Sequence, residues 1–365
     1  MHSTTSFEPI FELVRGELVE SVHYGAIAVV EASGRLVASL GDPHTITYLR
    51  STAKPLQAIP FIEAGGQEKF GLDLRELALL CASHAGTDEH VRVARSIQRK
   101  TGVAEADLLC GTHPISHKPT LQAMRQRAEE ISPNLHNCSG KHSGMLAYAR
   151  LLGLPTANYI DIDHPVQQRI LHTFAEMSCL PPEQVGVGID GCSAPNFAVP
   201  LYHAALALAR LCDPAAGQVA PARRANACQT ITRAMLAHHE MVGGPDSFDT
   251  HLMQVAAGRL VSKGGAEGYL GIGLLAGSIH PGSPALGIAL KISDGDLKGH
   301  NPPPSESQGA IRPAVALEIL RQLAALDEGE LKALRAFGPR FALHNWRNLL
   351  VGEGRPCFQL SWVSP

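Results

Sequence analysis

Aromatic residues are scarce in this 365-residue chain, at 5%, and charge of neither sign prevails: 31 lysines and arginines face 34 aspartates and glutamates, a formal net charge of −3. That balance excludes the strongly basic surface of a nucleic-acid binder and the composition of a disordered tail. No apolar run reaches the ~18 to 20 residues that a membrane span needs. The opening MHSTTSFEPIFELVRGE has no basic segment followed by an apolar one, so a cytoplasmic location is expected. The eight cysteines, at 81, 110, 138, 179, 192, 212, 228 and 357, form no CxxC pair, and buried thiols are expected rather than a disulfide framework. There is no internal repeat, and no GxGxxG between a strand and a helix; GIGLLAG is glycine-rich but lies in a strand pattern, which speaks against a phosphate loop there.

What the chain does have is glycine (35) and proline (25), signs of tight turns and close backbone approaches. β-Branched residues on both sides of Ser33-Gly34 in HYGAIAVVEASGRLVASLGD predict a hairpin. Helical spacing dominates from Pro55 to about Leu211, in LRELALLCASHAG, EHVRVARSIQRKTG, PTLQAMRQRAEEIS, GMLAYARLLGL and PVQQRILHTFAEMS, and a long helix is predicted near 221 to 240. Strand character returns in QVGVGID, GYLGIGLLAGS and ALGIALKISDG, while GHNPPPSESQG, 299–309, reads as a surface loop before a last helix. An α+β fold is expected: one mainly antiparallel sheet from N- and C-terminal strands (about 10–50 and 260–300), flanked by helices, with a helical middle segment (about 55–245), the whole acting as a single catalytic unit.

Three clusters carry candidate chemistry. In YLRSTAKPLQAIPF, Ser51 and Lys54 are three apart, the spacing of a hydroxyl and its base, although Ser51 also suits a helix cap and Pro55 restricts Lys54. Ser83 stands among small polar residues where an apolar run ends, and Lys263 precedes two glycines in RLVSKGGAEG, in a turn leading to a strand. In NLHNCSGKHSGML and GIDGCSAPN, two cysteines from different loops suit a soft metal ion, and spacing alone makes His142 the third ligand.

RSTAKP, CASHAG, HNCSGKHSGM, GIDGCSAPNFAVPL and SKGGAEG, in this order and over most of the chain, resemble the class 3 (rhizobial-type) L-asparaginases. The resemblance implies a fold similar to serine β-lactamases, penicillin-binding proteins and serine glutaminases. It implies two Ser-Lys tandems, Ser51 with Lys54 and Ser83 with Lys263, and a zinc ion held by Cys138, Cys192 and Lys141, with His142 kept as a pocket residue. Arg50 and Asp190 match family positions near the substrate, and a homodimer is implied.

An amide is a poor electrophile and ammonia a poor leaving group, so a strong nucleophile and a proton donor are both required. A lysine acts as base only when neutral, a displacement of about 3 pK units or ~4 kcal/mol. One cation at ~4 Å in an effective dielectric of ~20 supplies about that much, which gives a second lysine a purpose. The expected reaction is hydrolysis of L-asparagine to L-aspartate and ammonia. Ser51 attacks, Lys54 takes its proton, and Ser83 with Lys263 relays a proton to ammonia; the reverse assignment, with Ser83 as nucleophile, stays open. Arg50 suits the α-carboxylate and Asp190 the α-ammonium, and the zinc is expected to assist binding rather than to activate water. The alternatives are a glutaminase or other β-lactamase-like acyl hydrolase, and a non-catalytic zinc or thiol sensor.

Overall fold

The valine- and isoleucine-rich stretch after Tyr24 forms the end of a long strand, Leu18–Glu31, in the computed structural model, which describes residues 7–115, 117–295 and 311–364. Beyond Ser33-Gly34 it pairs antiparallel with Leu36–Leu40. Gly34 turns the chain at φ +96°, where a side chain would be strained, so the hairpin read from the sequence has its physical cause at this residue.

The chain forms two compact units, the first comprising Met1–Thr52, Val199–Gly217 and His251–Pro365. Its sheet has nine strands among the described residues. Seven run in the order Phe341–His344, Leu350–Pro356, Glu8–Arg15, Leu18–Glu31, Leu286–Ile292, Tyr269–Leu274 and Leu260–Gly265. Leu36–Leu40 pairs with Leu18–Glu31 off that path and carries Ser361–Trp362. These strands pair antiparallel, so the protein is of the α+β class with a mainly antiparallel sheet. Leu260–Gly265 and Tyr269–Leu274 are buried at every residue, and helices Leu201–Cys212 and Ile311–Gln322 pack on the sheet. Strands covered on both faces need not alternate in polarity, which explains why these read as apolar and glycine runs.

Several expectations are corrected here. Lys263 lies inside the strand Leu260–Gly265 and is buried, not in a turn before it. Glu8–Arg15 precedes the expected hairpin. Ile311–Gln322 is not the last helix, since Glu328–Ala333 and three strands follow it. The loop expected at 299–309 lies outside the described residues.

The second unit comprises Ala53–Ala198 and Gln218–Thr250. Helix Lys54–Glu63 is buried at every residue except Glu63, and packs on helices Ser139–Leu151, Pro165–Met177 and Ala222–Ala237. Leu56 and Ile59 in it are fully enclosed, so truncation of either to alanine costs about 2 to 5 kcal/mol. Helix Leu74–Leu80 starts on an Asp73/Glu76 capping box and Asp88–Thr101 on one formed by Thr87 and His90. Strands Gly186–Ile189 and Pro195–Pro200 pair antiparallel around a turn that carries Asp190 and Cys192. Among the described residues no helix is long and apolar enough to cross a membrane.

Candidate active site

In the first unit Ser51 occupies a short 3-10 turn, Arg50–Ala53. Arg50 enters that turn at φ +50°, a conformation that costs a non-glycine residue about 1 kcal/mol or more, and its guanidinium lies 3.8 Å from the Glu267 carboxylate. The turn is pinned to the strand that holds Lys263, because Thr52 Oγ1 donates to the Lys263 carbonyl at 2.8 Å. A Cβ on Gly265 would stand 2.4 Å from the Leu49 carbonyl oxygen, so only glycine permits this approach. Lys263 itself donates from Nζ to the Gly264 carbonyl at 2.7 Å.

In the second unit Lys54 is the first residue of its helix, directly after the 3-10 turn, and is 1% exposed. Its Nζ donates to the carbonyls of Ala82 and of Asn137 (3.4 Å) and lies 3.0 Å from Ser83 Oγ. Two carbonyls use two amine hydrogens. In the neutral amine the lone pair is then left to face the serine hydroxyl. Ser83 stands just beyond the helix Leu74–Leu80 and is fixed by its own N–H on the Val242 carbonyl at 2.9 Å.

Histidines hold the backbone that faces Lys54; the sequence marks His84 only as one of the polar residues around Ser83, and does not single out His113 and His136. His113 Nε2 accepts from Asn137 N–H (3.0 Å) and His136 Nδ1 from Cys138 N–H (3.0 Å). His84 Nδ1 accepts from Gly86 N–H (3.1 Å), which leaves its Nε2 proton for Ser139 Oγ (2.9 Å). Burial first, and then His90, hold His84 well below the usual imidazole range; burial and then His113 lower His136 to about 4. The His84 and His136 rings are neutral at physiological pH. A CASHAG or NLHNC string shows that histidines are present, but not that they cap chain segments far away in sequence.

Cys138 directly precedes the helix Ser139–Leu151, without a side-chain capping bond, and the first turns of that helix carry Lys141 and His142. Lys141 Nζ lies 3.0 Å from Cys192 Sγ. A hydrogen bond from Cys192 holds the Cys138 thiol well below the ordinary range against the opposing effect of burial, with Lys54 and Lys141 adding attraction; the same bond pushes Cys192 up. Burial opposes the Lys141 charge, yet Cys192, Cys138 and Asp190 together raise its pKa above the ordinary value. His142 Nδ1 pairs with Tyr159 Oη at 2.6 Å, whereas its buried Nε2 has no hydrogen bond and has Cys192 as a neighbour. Cys110, read from the sequence only as one of the buried thiols, lies near both thiols and is pushed up to about 12, mainly by burial. Two thiols and a buried amine are donors of the kind that zinc takes. No group of three His, Cys, Asp or Glu side chains suited to a metal occurs among the described residues, so a metal here must draw on Lys141 or water.

The model of the L-asparaginase II family matches residues 11–356. The chain belongs to this family. It is therefore an amidohydrolase, and a small-molecule substrate follows from membership. No curated protein matches the chain at a significant level. Solved structures of similar shape include Mglu in its native form, at 14% identity over 84% of this chain and 67% of that one, TM-score 0.39. The Bacillus subtilis glutaminase YbgJ, in covalent complex with 5-oxo-L-norleucine, is similar at 12% identity over 83% and 89%, TM-score 0.36. Likeness of that extent carries no argument about chemistry. Within the L-asparaginase II family frame, the site's own contacts bring Lys54 to Ser83 and Lys141 to Cys192, and tie the Ser51 turn to the Lys263 strand.

Proposed function

We propose that this member of the L-asparaginase II family hydrolyses L-asparagine to L-aspartate and ammonia through an acyl-enzyme, on a scaffold of the serine β-lactamase and penicillin-binding-protein kind. The observation that carries the reading is the Lys54 amine at 3.0 Å from Ser83 Oγ, with carbonyl oxygens for its other hydrogens. It favours Ser83 as the hydroxyl that Lys54 deprotonates, in place of the Ser51–Lys54 pairing expected from the motif. Ser83 Oγ forms the ester as the carbon–nitrogen bond breaks, and the proton passes to nitrogen so that ammonia leaves neutral. Water then cleaves the ester and restores the hydroxyl. Ser51 and Lys263 serve as the second proton-transfer pair.

Arg50, freed from Glu267, suits the substrate α-carboxylate, and Asp190 its α-ammonium. Cys138, Cys192 and Lys141 would hold zinc, and when bound the ion supplies fixed positive charge that orders the two loops. Lysine binds a metal only after losing its proton, so loading competes with the ammonium that Lys141 carries beside the Cys138 thiolate and the Cys192 thiol. Chelation is expected to raise KM more than it lowers kcat; a collapse of kcat restored by zinc would reverse that role. A homodimer is proposed for the protein in solution, checked by light scattering.

Ammonia release from asparagine and from glutamine tests the substrate, because one methylene is worth only about 1 to 3 kcal/mol in a pocket. Equal or better turnover of glutamine removes the asparaginase reading. Peptide mapping after treatment with a diazoketone analogue of asparagine tests the nucleophile. A label on Ser83 is expected, a label on Ser51 inverts the roles, and no label on either serine rejects the acyl-enzyme.

A further inference from the structure

The second unit contains a cavity of about 640 Å³ that the amide chemistry does not use. Its walls come from the end of helix Lys54–Glu63, from helix Pro165–Met177 and from the first turn of Ala222–Ala237. Three arginines line it, Arg169, Arg223 and Arg224, against one carboxylate, Glu63. Arg224 and Glu63 pair at 2.9 Å, with Arg223 3.8 Å from the same carboxylate. Glu176 reaches Arg224 from outside the lining. Even with that second acid counted, the guanidiniums are in excess.

The excess has a direction. Arg224 is 13% exposed in its side chain and held between two carboxylates, whereas the Arg223 side chain is 75% exposed and Arg169 is exposed beside the buried Tyr148. One guanidinium therefore braces the wall, and two remain on the rim with solvent-facing donors. Pro60, Ala64, Pro165 and the Tyr148 ring give the cavity an apolar wall, while Gln168, His172 and Thr173 add neutral polar groups. A volume in the usual range for small-ligand sites, an apolar wall and two planar forks at the mouth suit a small organic anion with a flat body and a phosphate or carboxylate group. A simple cation is excluded by the charge, and a neutral amide such as the substrate gains nothing from the guanidiniums.

We propose that this cavity is a binding site for a planar organic anion, separate from the groups assigned to amide hydrolysis. The test is calorimetric titration of the full chain at low salt with two probes, adenosine 5′-monophosphate for phosphate esters and isophthalate for planar dicarboxylates. Saturable binding of at least one is expected, weakened tenfold or more in an Arg169→Ala/Arg223→Glu variant whose ammonia release stays at the wild-type level. Saturation by one probe alone identifies the anionic group the site takes. Absence of saturable binding of both probes at millimolar concentration, or equal affinity in the variant, overturns the proposal whatever the amide substrate proves to be.

Discussion

Two lysines lie buried in the second unit, Lys54 at 1% and Lys141 at 5% exposure, and their neighbours differ in kind. Lys54 meets two carbonyls and a serine hydroxyl, with neutral imidazoles behind them. Lys141 meets the Cys192 sulfur, and its charge is favoured by both thiols and Asp190. The Cys138 thiolate attracts both amines. A lysine among dipoles is equipped to pass a proton to an oxygen, while a lysine among anions is a counter-ion. Both amines feel the Cys138 thiolate; what separates their roles within one helical unit is the carbonyls and serine hydroxyl around Lys54 against the Cys192 sulfur and Asp190 around Lys141.

Exchange of these lysines is the strongest way to break the contrast. Lys54→Met should lower kcat by about 10²- to 10⁴-fold in an ammonia-release assay, the usual worth of a general base, with far-UV circular dichroism unchanged. Ser83→Ala should fall as far, and the double variant little further, because the two groups act as a unit. Activity within a few-fold of wild type in either single variant would make the Lys54–Ser83 contact structural only.

Lys141→Met should act on stability instead. It removes one of the two cations that attract the buried Cys138 thiolate, at a cost of up to about 3 to 5 kcal/mol to the metal-free protein by denaturant unfolding. Added zinc should recover most of that loss. An unchanged unfolding midpoint would show that the thiols simply take up protons, and the counter-ion role would be lost.

The smallest effect concerns the neutral rings near Lys54. His90 is lowered to about 4, chiefly by burial, and His84 is well below its ordinary value for the same first reason. Between about 6.5 and 4 the unfolded chain binds a proton on His90 that the folded chain refuses, and His84 acts in the same direction below about 6.5. The His90 contribution is therefore complete above about 6.5 and lost as pH falls through that window. The slope is about 1.4 kcal/mol per pH unit for each ring. Urea unfolding across that range should show it, and His90→Gln should reduce the slope by one proton; an unchanged slope would mean that His90 is already charged in the folded state.

The helices and the central strands were legible because their periodicity survives burial: Val29 and Val30, Ile288 and Leu290 mark strands wherever they are placed. The outer strands were not. Leu350–Pro356, LVGEGRP, is half glycine and charge and takes its form from pairing with Glu8–Arg15, a partner far away in sequence. The candidate site shows the same divide. Ser51 and Lys54 stood out by local spacing, but the hydrogen bond from Lys54 goes to a serine 29 residues along. His113, His136 and Cys110 act through main-chain amides and neighbouring thiols, and no spacing rule encodes those contacts.

Gly265 sets the gap between the strand of Lys263 and the turn of Ser51 by an atom it does not have. The obstacle to any larger residue is a main-chain oxygen, which persists whatever side chain residue 49 bears, so no second substitution there reopens the space. Along that seam the protein can exchange partners on either side but not the width between them, and an engineer who wishes to reshape this edge must move backbone rather than trim side chains.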